Sequence, residues 1–262
     1  MQPRLLVVGG GRMGGALVRG LLAAQWRPAD IVIVEVSADL RSDLAEELPG
    51  VETRAEVTDA DAAVIAVKSA AGEEVCRALS TTATSRVLSI MAGVPLARLE
   101  SWFSRPTAVV RAMTNTPAMV GAGVSAVAAG SGAGEADMAW AQELLGAVGH
   151  VVALPESSLD AVTGLSGSGP AYVFLVAEAL IQAGVAVGLP LEVSRLLAIE
   201  TVAGAGRLLV ESGEAPESLR AQVTSPGGTT EAGLRVLEER GVRVAITAAV
   251  AAATERSSQL AR

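Results

Sequence analysis

The stretch Leu5-Leu6-Val7-Val8-Gly9-Gly10-Gly11-Arg12-Met13-Gly14 decides the fold class. Four apolar residues without alternation read as a strand covered on both faces. A G-x-G-x-x-G spacing at Gly9, Gly11 and Gly14 follows at once and opens a helical period. The three glycines serve different ends. Gly9 permits the tight turn, Gly11 lets a pyrophosphate approach the backbone, and Gly14 lets the helix lie close on the sheet. The helix N-terminus faces the anion. The run therefore predicts a dinucleotide-binding turn.

Working outward, short apolar runs alternate with helical segments as far as residue 153. Strands are expected at 5–8, 31–34, 62–67, 86–90, 108–111, 124–128 and 150–153, with helices at 13–24, 40–48, 73–79 and 135–145. Repeated strand-helix units of this kind build a parallel, doubly wound sheet of the Rossmann type. The strand signal then fades, and helices are expected at 170–186, 191–212, 216–222, 230–240 and 242–260. The division expected is a dinucleotide-binding domain over 1–154 and an all-helical domain over 155–262. Segment 245–253 is almost entirely small and apolar, so its helix has little polar face for water, and a second copy of the chain is the simplest cover.

Composition narrows the function. The 262 residues carry a formal charge of −8, which disfavours nucleic acid and anionic membrane as partners and leaves small molecules. No export signal is expected from the N-terminal run, and no membrane span from the apolar stretches 172–189 and 244–254, which are interrupted by Glu178 and Gln182 or are short. A soluble, cytoplasmic protein is expected. With a single Cys (Cys76) there is no internal disulfide, and with a single His (His150), set in an apolar strand-like run, neither a two-histidine metal site nor a triad is in prospect.

Glu35, at the end of the second strand, stands where an acidic side chain accepts hydrogen bonds from the adenosine ribose; it welcomes a free 2′-hydroxyl and leans towards NADH, although Arg41 is near enough in sequence to approach a phosphate. Lys68, the only lysine, follows the third strand at the carboxyl edge of the sheet. Two Ser/Gly/Pro loops lead into helices, Leu165-Ser166-Gly167-Ser168-Gly169-Pro170-Ala171-Tyr172 and Val223-Thr224-Ser225-Pro226-Gly227-Gly228-Thr229-Thr230. The second offers consecutive N–H groups and hydroxyls at a helix N-terminus, a carboxylate site needing no basic residue. The residues alone stop at a two-domain dehydrogenase or reductase.

Together these segments resemble the pyrroline-5-carboxylate reductase family. The glycine run, Ala66-Val67-Lys68, Arg111-Ala112-Met113-Thr114-Asn115-Thr116-Pro117, Thr163-Gly164-Leu165 through Tyr172, and Ser225 to Thr230 occur in family order. Ser69 stands where the family usually has proline, Arg207 where lysine is common, and Thr114 is one of two residues accepted there. The resemblance implies reduction of the C=N bond of 1-pyrroline-5-carboxylate to give proline, the last step of proline biosynthesis, with NADPH or NADH and no metal. It implies a cofactor along Gly9, Gly11, Arg12, Met13 and Gly14, near Ala66, Val67, Lys68, Ser69, Met91 and Ala92, with Asn115 towards the nicotinamide. It gives Thr230 to the imine nitrogen, Ser225, Gly228 and Thr229 to the substrate carboxylate, and Glu156 to the ligand site. It also implies a homodimer through the helical domain, with higher assembly open.

Two rivals remain at this point. A hydroxyacid dehydrogenase of similar plan wants a lysine or histidine for the hydroxyl proton, and the helical half has neither. A non-catalytic dinucleotide sensor would carry a damaged substrate loop, whereas 225–230 is intact.

Overall fold

The computed structural model describes residues 4–260. Among them an eight-stranded sheet runs through β1 (Leu5–Val8), β2 (Ile31–Val34), β3 (Glu52–Arg54), β4 (Ala62–Ile65), β5 (Arg86–Ser89), β6 (Ala108–Met113), β7 (Gly123–Ala129) and β8 (Gly149–Ala153). Its spatial order is β3-β2-β1-β4-β5-β6-β7-β8. The first six strands are parallel, β7 is antiparallel to β6, and β8 is parallel to β7. The order reverses between β1 and β4, which puts the ligand crevice of an open α/β sheet beyond their carboxyl ends. The α/β class read from the glycine run is the class observed.

The pleat of β1 explains why its four residues are all apolar. Leu5 and Val7 enter a cluster with Leu17 and Leu21 of α1 (Arg12–Ala23), Leu44 of α2 (Ala38–Glu47) and Leu144 and Leu145 of α5 (Glu135–Gly146). Leu6 and Val8 enter a second cluster with Cys76 and Leu79 of α3 (Gly72–Leu79) and Leu96 and Leu99 of α4 (Leu96–Ser101). One strand thus feeds two helical layers, and each fully buried Leu contributes about 1.5–3 kcal/mol.

After β8 the chain is helical. A short α6 (Leu159–Val162) passes through a π-helical turn, Thr163–Gly167, towards α7 (Gly169–Ala186), followed by α8 (Leu191–Ser212), α9 (Pro216–Gln222), α10 (Thr229–Glu239) and α11 (Val242–Leu260). The stretch 165–172, expected as a loop, is therefore helical from its start. The helical stretch Glu156–Ala186 is long and apolar enough to cross a membrane by length and composition alone, so Glu178 and Gln182 do not by themselves exclude it.

The described residues form two compact units, 4–167 with 252–260, and Ser168–Ala251. In the second unit α7 and α8 lie so close that a side chain at Gly184 would meet Ser194 Oγ at 2.7 Å. Yet among the residues of that unit only Ser194 and Ala198 are buried. Leu175 is 65% exposed, Leu196 62% and Val210 73%, an apolar surface that soluble single chains rarely leave open.

Candidate active site

The glycine run adopts the geometry its spacing predicts. Gly9 has φ +105°, and a Cβ there would sit 2.7 Å from the Ala66 carbonyl oxygen at the end of β4. A Cβ on Gly14 would be 1.9 Å from the Gly9 oxygen, so the helix rests on the turn with no room for a side chain. Gly11 faces open space. The first intrahelical bond is from Gly15 N–H to Gly11 O, and α1 has no side-chain cap. Its leading amides are thus free for an anion, and Arg12 beside them is exposed with no partner among the described residues. A pyrophosphate fits this cradle.

The surrounding loops are tied to it and to one another. Gly10 N–H donates to Glu35 Oε2 at 2.9 Å and Ser37 N–H to Glu35 Oε1 at 3.0 Å. Ala66 N–H donates to Val8 O, continuing the β1–β4 ladder by one residue, and Val67 follows. Ser69 Oγ donates to the Ala92 carbonyl at 2.6 Å, linking the loops after β4 and β5, while Met91 beneath is buried. The Lys68 side chain is exposed and has no partner among the described residues.

Asn115 and Glu156 have unexpected partners. Asn115 Oδ1 accepts from Val124 N–H at 2.9 Å and its Nδ2 donates to Ser166 O at 3.1 Å, so the amide pins the π-helical turn and the start of β7 to the end of β6. Met113 lies against Gly167, where a Cβ would be 2.3 Å from its methyl. Next to it, Thr114 Oγ1 is buried without a hydrogen-bond partner. Glu156 Oε1 receives Arg111 Nη1 at 2.7 Å and Leu96 N–H at 2.6 Å, and the Arg111 side chain is only 8% exposed. Sequence reasoning missed Arg111 as the partner of Glu156; a lone arginine within an otherwise apolar strand was the available signal. His150 lies exposed on β8 with no catalytic partner described.

In the second unit, Gly227 has φ +72° and Gly228 precedes α10; a Cβ on Gly228 would meet Ser225 Oγ at 2.4 Å. Gly228 N–H donates to Ser225 O at 3.0 Å and Gly227 N–H to Glu231 Oε2 at 2.7 Å, which shapes the loop from within. The hydroxyls of Ser225, Thr229 and Thr230 have no partner among the described residues, α10 has no side-chain cap, and Thr230 is half-buried. A cavity of about 480 Å³ borders Gly227, Gly228, Glu231, Ala232 and Arg235. The unpaired hydroxyls and the leading amides of α10 are donors of the kind that can hold a small anion, with Glu231 and Arg235 at the cavity's border.

With the geometry in place, comparison with known proteins is direct. Residues 156–260 match the family model described as pyrroline-5-carboxylate reductase dimerisation, and residues 4–93 match that of NADP oxidoreductase coenzyme F420-dependent. The pyrroline-5-carboxylate reductase of Mycobacterium tuberculosis is 42% identical, over 98% of this chain and 96% of its own length. That of Synechocystis is 41% identical over the whole of both chains. Among solved structures, a pyrroline-5-carboxylate reductase from Coxiella burnetii superposes with a TM-score of 0.93 at 35% identity over the whole of both chains. The Plasmodium falciparum pyrroline carboxylate reductase, solved with NADP bound, has a TM-score of 0.85 at 27% identity, covering 99% of this chain and 98% of that one.

Proposed function

The chain belongs to the pyrroline-5-carboxylate reductase family and is an oxidoreductase, and from that premise we propose that it reduces 1-pyrroline-5-carboxylate to proline in the cytoplasm. The observation that carries the reading is the Ser225–Thr230 loop: three hydroxyls without partners at an uncapped helix N-terminus, with no lysine or histidine in the helical half. Such a site suits a substrate that is already electrophilic. A protonated imine accepts hydride at carbon without a strong acid, so the protein contributes chiefly by orientation, an effect worth up to about 7–11 kcal/mol of a barrier.

In this reading Ser225, Gly228 and Thr229 hold the carboxylate, and Thr230 hydrogen-bonds the ring nitrogen while its charge changes. A bound dihydronicotinamide supplies the hydride. Gly9, Gly11, Arg12, Met13 and Gly14 hold the pyrophosphate; Ala66, Val67, Lys68, Ser69, Met91 and Ala92 border the cofactor; and Glu35 favours the unphosphorylated ribose. Asn115 and Glu156 act by position: the first anchors the turn at Ser166, and the second joins Arg111 to the start of α4. The second unit carries most of the family's dimerisation segment, and a homodimer through these helices covers exposed apolar side chains such as Leu175, Leu196 and Val210.

The test is oxidation of NADH and of NADPH by purified protein, with and without 1-pyrroline-5-carboxylate. Substrate-dependent oxidation supports the reading. Dinucleotide binding without turnover would replace it with a sensor or with a different imine.

A further inference from the structure

The Ser225–Thr230 loop already holds a carboxylate, one that belongs to the chain. Glu231 turns back from the first turn of α10, and its Oε2 accepts the Gly227 N–H at 2.7 Å. The next amide, Gly228 N–H, is taken by the Ser225 carbonyl at 3.0 Å, a bond between backbone atoms that fixes the turn. Of the two glycine amides, that of Gly227 alone has a side chain for its acceptor, and a side chain can leave. A glutamate at the third helical position ordinarily shares a reciprocal cap with a Ser or Thr at the N-cap. Here the N-cap is Gly228, so nothing answers Glu231 and its charge stands at the positive end of α10. It also borders the cavity lined by Gly227, Gly228, Ala232 and Arg235. Arg235 lies four residues on, the spacing at which Glu and Arg side chains meet on a helix. It gives Nη1 to Glu239 at 2.6 Å, and its Nε and Nη2 have no partner among the described residues.

We infer that Glu231 is a specificity-determining residue: a resident carboxylate that occupies Gly227 N–H in the empty loop and yields it to the carboxylate of the substrate, moving across to Arg235. The inference rests on the substrate reading proposed above and deepens it. The loop keeps its shape while empty, and an acidic ligand must displace a like charge that a neutral ring does not meet.

The test compares KM for 1-pyrroline-5-carboxylate with KM for 1-pyrroline, the same ring without the carboxylate. Glu231→Gln keeps an oxygen for Gly227 N–H and drops the charge. It should lower the first KM about threefold, the scale of one like charge removed from a solvent-exposed site, with KM changing more than kcat. The KM for 1-pyrroline should not fall. Calorimetric binding of proline, which needs no turnover, should tighten by the same factor. Arg235→Gln should raise KM for 1-pyrroline-5-carboxylate in the parent but not in the Glu231→Gln background, since the exit matters only while the charge is there. An unchanged or raised KM in Glu231→Gln, or an equal fall for both rings, would overturn the role of Glu231, and a rise with Arg235→Gln in both backgrounds would overturn the exchange onto Arg235. A parent that reduces neither ring, yet binds proline more tightly on Glu231→Gln, would sink the reductase reading and leave this one standing. A parent that neither reduces the rings nor binds proline would end both.

Discussion

The two units of this chain solve the problem of apolar surface in opposite ways. In the first, β1 sends alternate side chains into two helical layers and leaves Leu5, Leu6 and Val7 with no exposed surface. In the second, helices just as apolar keep only Ser194 and Ala198 buried. The first unit carries its own core, whereas the second, which holds most of the segment matched to the family's dimerisation model, leaves its apolar side chains open. Hydrophobic content alone therefore does not say where a core lies; the periodicity does. A pleated strand between helices closes on itself, while a helix apolar all round needs neighbours on every side.

That contrast can be broken most severely at the face of the second unit. Leu175→Asp combined with Leu196→Asp should abolish dimerisation in sedimentation and lower turnover more than about a hundredfold, since each carboxylate would have to be buried unpaired. A dimeric, active double variant would mean that this face is not the interface. Gly14→Val attacks the first unit instead. The 1.9 Å approach to the Gly9 oxygen forces the helix off the turn, so dinucleotide binding should be lost and stability should fall by about 3 kcal/mol or more, read by calorimetry and denaturation. Within the proposed substrate loop, Thr230→Ala should cut turnover by about a hundredfold with a much smaller effect on cofactor affinity. Equal losses in both would remove its assignment to the imine nitrogen.

A milder pair sharpens the comparison. Leu144→Ala, in the closed core, should cost about 2–5 kcal/mol of unfolding free energy without shifting the dimer dissociation constant. Leu175→Ala should do the reverse, weakening association while disturbing the isolated fold little. The effect that is smallest at neutral pH concerns Cys76. Burial pushes its thiol up to about 12, so the folded state holds the proton more tightly than the unfolded one. Its contribution is complete below the ordinary thiol range and is lost as pH rises from about 8.5 towards 12, by at most about 1.4 kcal/mol per pH unit. Cys76→Ala should flatten that alkaline decline in stability, and the native thiol should resist alkylation at neutral pH.

Strands with unbroken apolar runs were legible from sequence because burial on both faces leaves no other pattern, and α8, α9 and α11 have the bounds expected of them. The edge strand β3, Glu52–Arg54, was not, since three polar residues against one neighbour carry no hydrophobic signal. The short α4 is equally silent, being only six residues long. The π-helical turn at Thr163–Gly167 looked like a loop because Gly, Ser and Thr favour turns; what holds it is the distant amide of Asn115 and the space left for Met113 at Gly167. The glycines and hydroxyls of both proposed sites were visible as motifs. The partners of Asn115 and Glu156 were not, because each is reached by a long-range bond that no local spacing encodes.

The path of the chain has a consequence for synthesis. After leaving the first unit at Gly167, it returns for its final stretch: Ser257 Oγ donates to Asp160 Oδ1 at 2.6 Å, and Leu260 lies beside Gly93. A ribosome releases residues in order, so the sticky helices of the second unit emerge before the segment that finishes the first. Each nascent chain thus shows its partner-seeking surface while its opening domain is still missing a piece, and crowding on a shared message would favour pairing between neighbours made at nearly the same moment.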